Sequence, residues 1–322
     1  MSPSHAAERS EPLAPTAEFA RDLAIALSAR TKRLAPKYFY DAAGSALFEQ
    51  ITQLPEYYPT RTEIGILRDH AEDLAALLPP GGVLVEFGSG ASVKVRLLLD
   101  RIPHLAAYVP VDISAEFLER TATDLRRAYP GIEILPLADD FTQRFALPQM
   151  AQGRPLLGFF PGSTIGNFEP ADAQDFLAQA RETLGPGSRM VVGVDLVKDP
   201  RLLHAAYNDA AGVTAQFNKN VLVRANRELG TDFELSAFVH RAFFNAPASR
   251  IEMHLVSASA QTVHLDGAAY HFAAGESLHT ECSYKYTLEG FADLAAAAGW
   301  TSETAWTDPQ QLFSVHVLAR AA

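Results

Sequence analysis

At residues 83–92 an unbroken apolar run, Val83 to Phe87 with Glu86 inside it, passes into Gly88-Ser89-Gly90-Ala91-Ser92 and then into a helical pattern. A short run of this kind reads as a strand covered on both faces. Two glycines in the turn let a ligand approach the backbone, and the helix start that follows favours a polar or anionic group. The same rhythm recurs downstream. Strands are expected at Tyr108–Ile113, Ile132–Leu137, Leu156–Phe160 and Met190–Leu196, with helical patterns between them, as at Phe117, Thr121, Leu125 and Tyr129. Apolar strands alternating with helices specify an α/β fold around a mostly parallel sheet.

The rhythm changes on both sides of this block. Phe19, Leu23 and Leu27 mark an amphipathic helix after an expected disordered tail over 1–15. An aromatic-rich loop carrying Tyr38, Phe39, Tyr40, Tyr57 and Tyr58 follows. A single helix is expected from Thr62 to Leu78, stopped by Pro79-Pro80-Gly81-Gly82. Residues 198–286 hold a helical stretch around Val213–Leu229 and then alternating segments such as Ile251–Leu255, which reads as an α+β insertion. A helix at Leu288–Ala298 and strands near 302–306 and 312–319 resume the α/β pattern. Two domains are expected: 62–197 with 287–322, and 16–61 with 198–286.

Composition narrows the function. The formal net charge of −11 repels polyanions, so nucleic acid is not an expected partner. One cysteine, Cys282, excludes a disulfide framework and a multi-thiolate zinc site, and suits a reducing compartment. The first residues lack the apolar stretch of a signal peptide, and no run of 18 apolar residues occurs, so a cytoplasmic protein with no membrane partner is expected. The ten histidines form no HExxH motif, and no metal is expected.

The glycine turn can be sorted by what it lacks. A dinucleotide fingerprint needs a third glycine at 93, where Val93 stands, and no P-loop occurs. Glu86 ahead of Gly88-x-Gly90 instead resembles the turn of S-adenosylmethionine-dependent methyltransferases, where it holds the amino-acid end of the cofactor. Asp112 stands 22 residues after Gly90, at the end of the second strand, where a carboxylate can accept from both ribose hydroxyls. Asp139-Asp140-Phe141 ends the third strand. One aspartate of the pair, taken as Asp140, can accept from the adenine amine while Phe141 packs on the ring. Each feature has a structural alternative: a tight connection, a helix-start charge, an acidic turn. Three of them at successive strand ends share the edge where open α/β sheets bind ligands.

Longer strings carry a more specific resemblance. Lys37-Tyr38-Phe39-Tyr40-Asp41, Leu54 to Arg61, Pro161 to Phe168, Tyr207-Asn208-Asp209 with Phe217-Asn218, and Glu281-Cys282-Ser283-Tyr284-Lys285 resemble the ergothioneine-pathway histidine Nα-methyltransferases. The resemblance runs from about Lys32 to the C-terminus. It implies a class I, Rossmann-like methyltransferase domain with an inserted substrate domain, S-adenosylmethionine as methyl donor, and Nα-trimethylation of L-histidine to hercynine. The chain is expected to act as a monomer.

The resemblance also implies site residues. Gly88, Ser89, Gly90, Lys94, Asp112, Asp140 and Phe141 would hold the cofactor, joined by Tyr40, which also lies near the amine. Asn167 and Tyr207 would take the amino-acid end of the substrate, with Tyr40 and Asn167 at the reacting centre. Tyr57, Glu281 and Ser283 would meet the imidazole, and Met253 would form a pocket wall. Glu281 and Ser283, two apart on a strand, share one face, which leaves Cys282 pointing away. A carboxylate facing an N–H is what an imidazole requires, which weighs against an otherwise similar enzyme acting on tryptophan. An NAD-dependent oxidoreductase is the alternative from another class.

Overall fold

The computed structural model describes residues 15–90, 92–102 and 104–320. The expected tail lies outside them apart from Pro15, which opens the helix Pro15–Ser28. In chain order the strands are β1 (Lys32–Arg33), β2 (Val83–Phe87), β3 (Ala107–Asp112), β4 (Glu133–Ile134), β5 (Leu137–Ala138), β6 (Leu156–Phe160) and β7 (Arg189–Asp195). There follow β8 (Phe238–Asn245), β9 (Arg250–Ser257), β10 (Gln261–Leu265), β11 (Ala268–Phe272), β12 (Ser277–Tyr284), β13 (Thr301–Thr307) and β14 (Phe313–Ala319).

Eight strands form the large sheet, in the order β13-β14-β7-β6-β2-β3-β4, with β5 also pairing β3. β2 is parallel to β3 and β6, and β6 to β7, whereas β14 runs antiparallel between β7 and β13. This is the α/β, mostly parallel class I arrangement that the resemblance implies. Strands β2, β6 and β7 are apolar because helices cover both faces. Val83, Val85 and Phe87 pack with Phe176, Leu177 and Phe291 from the helices Pro170–Leu184 and Leu288–Ala297. Leu84 points the other way, toward Leu67, Leu98 and Leu125. From β2 the chain steps outward through β3 to β4, then returns to β6 on the other side of β2, so a switch point opens at the carboxyl end of β2.

A second sheet, β1-β12-β9-β8, packs on the helices Pro15–Ser28, Ala42–Thr52 and Val213–Leu229. β10 and β11 form a hairpin closed by Asp266-Gly267, both at positive φ (50° and 77°), the turn chemistry a two-residue hairpin favours.

Three expectations need correction. The aromatic stretch is not all loop: Asp41 caps the helix Ala42–Thr52 by accepting from the Gly44 N–H at 2.7 Å. The helix expected from Thr62 starts earlier and breaks at His70, giving Tyr58–Asp69 and Ala71–Ala76. Pro59 at its start fits the first turn, where a missing N–H costs nothing. The third strand is two short pieces, β4 and β5, parted by Leu135-Pro136. Pro136 offers no N–H to a ladder.

Candidate active site

The carboxyl edge of the large sheet gathers the expected cofactor residues. Gly88 sits at φ 73°, which favours glycine, and a Cβ there would come within 3.2 Å of the Phe141 ring, a tight contact. The N–H groups of Gly88 and Ser89 donate to the Val111 carbonyl at 2.9 and 3.1 Å, tying the turn to β3. A Cβ at Gly90 would meet nothing within 4 Å. Beneath the turn, the Tyr108 hydroxyl donates to Glu86, whose carboxyl is pushed up to about 7 by burial.

Asp112 ends β3 with Oδ1 accepting from the Ser114 N–H at 2.9 Å, and among the described residues Oδ2 has no donor. Burial pushes its carboxyl up to about 6. Asp140 is similarly half-used: its Oδ1 accepts from the Thr142 N–H (2.9 Å) and hydroxyl (2.6 Å). Phe141 packs edge-on against Phe160 and Phe176. Lys94 forms a 2.5 Å ion pair with buried Glu63. Glu63 also accepts from the Gly162 N–H at 2.9 Å, so the pair ties the glycine turn's helix to the loop after β6. A tight turn, two spare carboxylate oxygens at successive strand ends and an aromatic face fit an adenosyl cofactor with a ribose and an amino-acid tail.

Next to this edge lies a cavity. It is lined by all seven residues expected at the substrate or reacting centre: Tyr40, Tyr57, Asn167, Tyr207, Met253, Glu281 and Ser283. They converge from separate elements. Tyr40 follows the short helix Pro36–Phe39, and Tyr57 precedes Tyr58–Asp69. Asn167 ends the turn Thr164–Asn167 after β6, and Tyr207 ends the helix Pro200–Tyr207. Met253 on β9 is the register partner of Glu281 on β12, beside a bulge between His279 and Glu281.

Among the described residues, the Tyr40 and Tyr57 hydroxyls, the Asn167 amide and the Glu281 carboxylate take no protein hydrogen-bond partner. They line the cavity, where a polar ligand would meet them. Glu281 is 8% exposed, and burial pushes its carboxyl up to about 7, Lys285 pulling the other way. Burial holds the phenols of Tyr40, Tyr57 and Tyr207 far above their ordinary range, so all three stay protonated. Glu281 and Asp112 both add to the shift at Tyr40, which therefore lies within electrostatic reach of both sites.

Sequence reasoning passed over a buried charge network at the cavity wall. Asp195, at the end of β7, meets Lys285 at 2.8 Å and Lys198 at 2.5 Å and accepts from the Tyr58 hydroxyl. Burial pushes the Asp195 carboxyl up, but the two lysines outweigh it and hold it low. The only signal for Lys285 was its place in the Glu281–Lys285 string. Cys282 does point away from the cavity, with Sγ 3.4 Å from His279 Nε2. On that outer face Glu252, His254 and His279 stand close together. The two imidazoles are stacked 4.5 Å apart and cannot aim at one ion as they stand, and Arg250 already pairs with Glu252.

Comparison with known proteins agrees with this geometry. Residues 19–320 match the model of a family described as histidine-specific, S-adenosylmethionine-dependent methyltransferases. The chain is 45% identical to a histidine N-alpha-methyltransferase of Mycolicibacterium smegmatis, over 93% of this chain and 94% of that one. It is 30% identical to the ergothioneine biosynthesis protein 1 of Neurospora crassa, over 90% of this chain and 33% of that one. A 4-dimethylallyltryptophan N-methyltransferase of Epichloe festucae var. lolii is 27% identical, with 89% and 91% covered. These matches leave no place for the oxidoreductase alternative, and the chain belongs to the histidine-specific, S-adenosylmethionine-dependent methyltransferase family.

Proposed function

We propose that the protein methylates the α-amine of L-histidine three times, giving hercynine, as a step of ergothioneine biosynthesis. The observation that carries this is the buried, unpartnered Glu281 carboxylate beside the Ser283 hydroxyl, in a cavity that adjoins the cofactor edge. An apolar side chain would leave Glu281 without a partner, whereas an imidazole N–H satisfies it.

When bound, S-adenosylmethionine supplies an electrophilic methyl group on a sulfonium. The chain's residues then have to align the amine and keep its lone pair free. Tyr207 donates to the substrate carboxylate. Asn167 donates to the same carboxylate and accepts from the amine. Tyr40, protonated and set between the two sites, orients the amine. An α-amine is mostly protonated near neutral pH, so its proton leaves to water before each transfer. Glu281, Ser283 and Tyr57 hold the ring, and Met253 packs on it. Transfer stops when the nitrogen has no lone pair left.

The cavity draws its lining from one chain, so a monomer would carry the whole site. The charge of −11 supports a small-molecule rather than a nucleic-acid partner, and among the described residues no helix is long and apolar enough to cross a membrane. A cytoplasmic location fits the single buried thiol.

A panel of amino acids with a labelled methyl donor tests the assignment. Initial rates should be highest for histidine, by about a hundredfold over tryptophan or phenylalanine. A panel led by either apolar ring would overturn it.

A further inference from the structure

We propose that Lys285 is a positioning residue that turns Tyr207 and Ser283 into hydrogen-bond donors, so that the pocket demands a ring nitrogen able to accept. This rests on the reading that the cavity binds an amino acid with an imidazole side chain.

The geometry fixes the direction of each bond. The Lys285 ammonium lies 2.6 Å from Ser283 Oγ, 3.2 Å from the Tyr207 hydroxyl and 2.8 Å from Asp195 Oδ2. An ammonium has three protons and no lone pair, so all three contacts run outward from Lys285. Each hydroxyl must therefore accept there. The Tyr207 hydroxyl also donates to Ser283 Oγ at 2.8 Å. Ser283 Oγ then accepts twice, and its own proton is all it has left to offer. When a ligand carboxylate takes the Tyr207 hydrogen bond, Ser283 Oγ still accepts from the ammonium, and with the ring N–H given to Glu281 the serine proton faces the other ring nitrogen.

Ser283 and Glu281 share one face of β12 and both line the cavity. The ionised carboxylate only accepts, and the serine is set to donate. The pair matches a neutral ring with one N–H and one bare nitrogen. A pyrrole or indole, with an N–H and no acceptor, leaves the Ser283 proton unpaired. The ammonium is held in place from the other sheet. Asp195 ends β7, is 1% exposed, and keeps Lys198 on its other oxygen. Removing the Lys285 charge therefore does not strand a lone buried carboxylate.

The test compares histidine with a pyrrolylalanine, similar in size and lacking the acceptor, as substrates of wild type, Lys285→Met, Lys285→Arg and Ser283→Ala. Wild-type rates judge the underlying reading: if neither substrate is methylated, that reading fails and the proposal goes with it. The ratio across variants judges Lys285. Wild type should favour histidine by about tenfold or more in kcat/KM. Lys285→Met should shrink that ratio severalfold, mainly by raising KM for histidine, and Lys285→Arg should restore part of it. Adding Lys285→Met to Ser283→Ala should shrink it no further. An unchanged ratio in Lys285→Met, however slow the enzyme, would overturn the proposal and leave the lysine a structural role. Should Lys285→Met fail to bind cofactor or to unfold cooperatively, a folded Ser283→Ala with the wild-type ratio would overturn it equally.

Discussion

Asp112→Ala should weaken S-adenosylmethionine binding by about a hundredfold or more. Oδ1 of Asp112 is spent on the Ser114 N–H, and Oδ2 is free at the carboxyl end of β3. A ribose placed there can donate two hydroxyls to one charged acceptor, each bond worth ~1.5–3 kcal/mol. The local turn also loses a contact, so the variant must first unfold cooperatively near the wild-type midpoint. Titration calorimetry then gives the affinity. Burial pushes the Asp112 carboxyl up to about 6, so wild-type affinity should also fall as pH drops through that value, where the group gains a proton and accepts less well. Unchanged affinity in a folded Asp112→Ala would remove the residue from the cofactor site.

Glu281→Ala should cut kcat/KM for histidine by about a hundredfold, a loss of ~2–3 kcal/mol in barrier terms if the ring N–H is left unpaired. It should also bring phenylalanine closer to histidine, because the variant no longer strands a buried carboxylate under a ring without an N–H. Trimming Met253, the register partner across β9, should widen the space and extend that relaxation. The pH profile gives a second readout. Burial pushes the Glu281 carboxyl up to about 7, and only its ionised form accepts from an N–H. Wild-type kcat/KM should therefore rise with pH through about 7, and that step should be missing in Glu281→Gln. If the ratio of kcat/KM for histidine over phenylalanine stays where it was in Glu281→Ala, the selector lies elsewhere.

The two halves of the site were legible to different degrees, for physical reasons. On the cofactor side, Gly88, Asp112 and Asp140 each lie within a residue or two of a strand end. Counting strands in a parallel sheet puts strand ends at one edge, so local pattern was enough. The cavity side draws Tyr40, Tyr57, Asn167, Tyr207 and Glu281 from five elements, two of them short 3-10 turns. No periodicity links such residues, and only the resemblance singled them out. The Asp195–Lys285 pair was missed because each residue reads as the polar end of an apolar strand, and the contact joins two sheets.

Local signals also misled in specific places. The aromatic stretch reads as loop, yet it holds the helix Ala42–Thr52, which keeps Gly44 because a Cβ there would lie 1.7 Å from the Phe39 carbonyl oxygen. Close approach between neighbouring segments outweighed propensity. The run Ile132–Leu137 has the apolar content of a strand, but Pro136 interrupts its ladder. The ion pair between Lys94, in the helix after the glycine turn, and Glu63 had no signal in the sequence, because the two residues lie in different helices.

The central claim concerns where the methyl groups go and how many. Wild-type protein incubated with histidine and S-adenosylmethionine, sampled over time by mass spectrometry with the product assigned by NMR, measures both. Monomethyl and dimethyl species should rise and fall, and the end product should carry three methyl groups on the α-nitrogen. A course that halts at the monomethyl species, or methyl groups found on a ring nitrogen, would contradict the account.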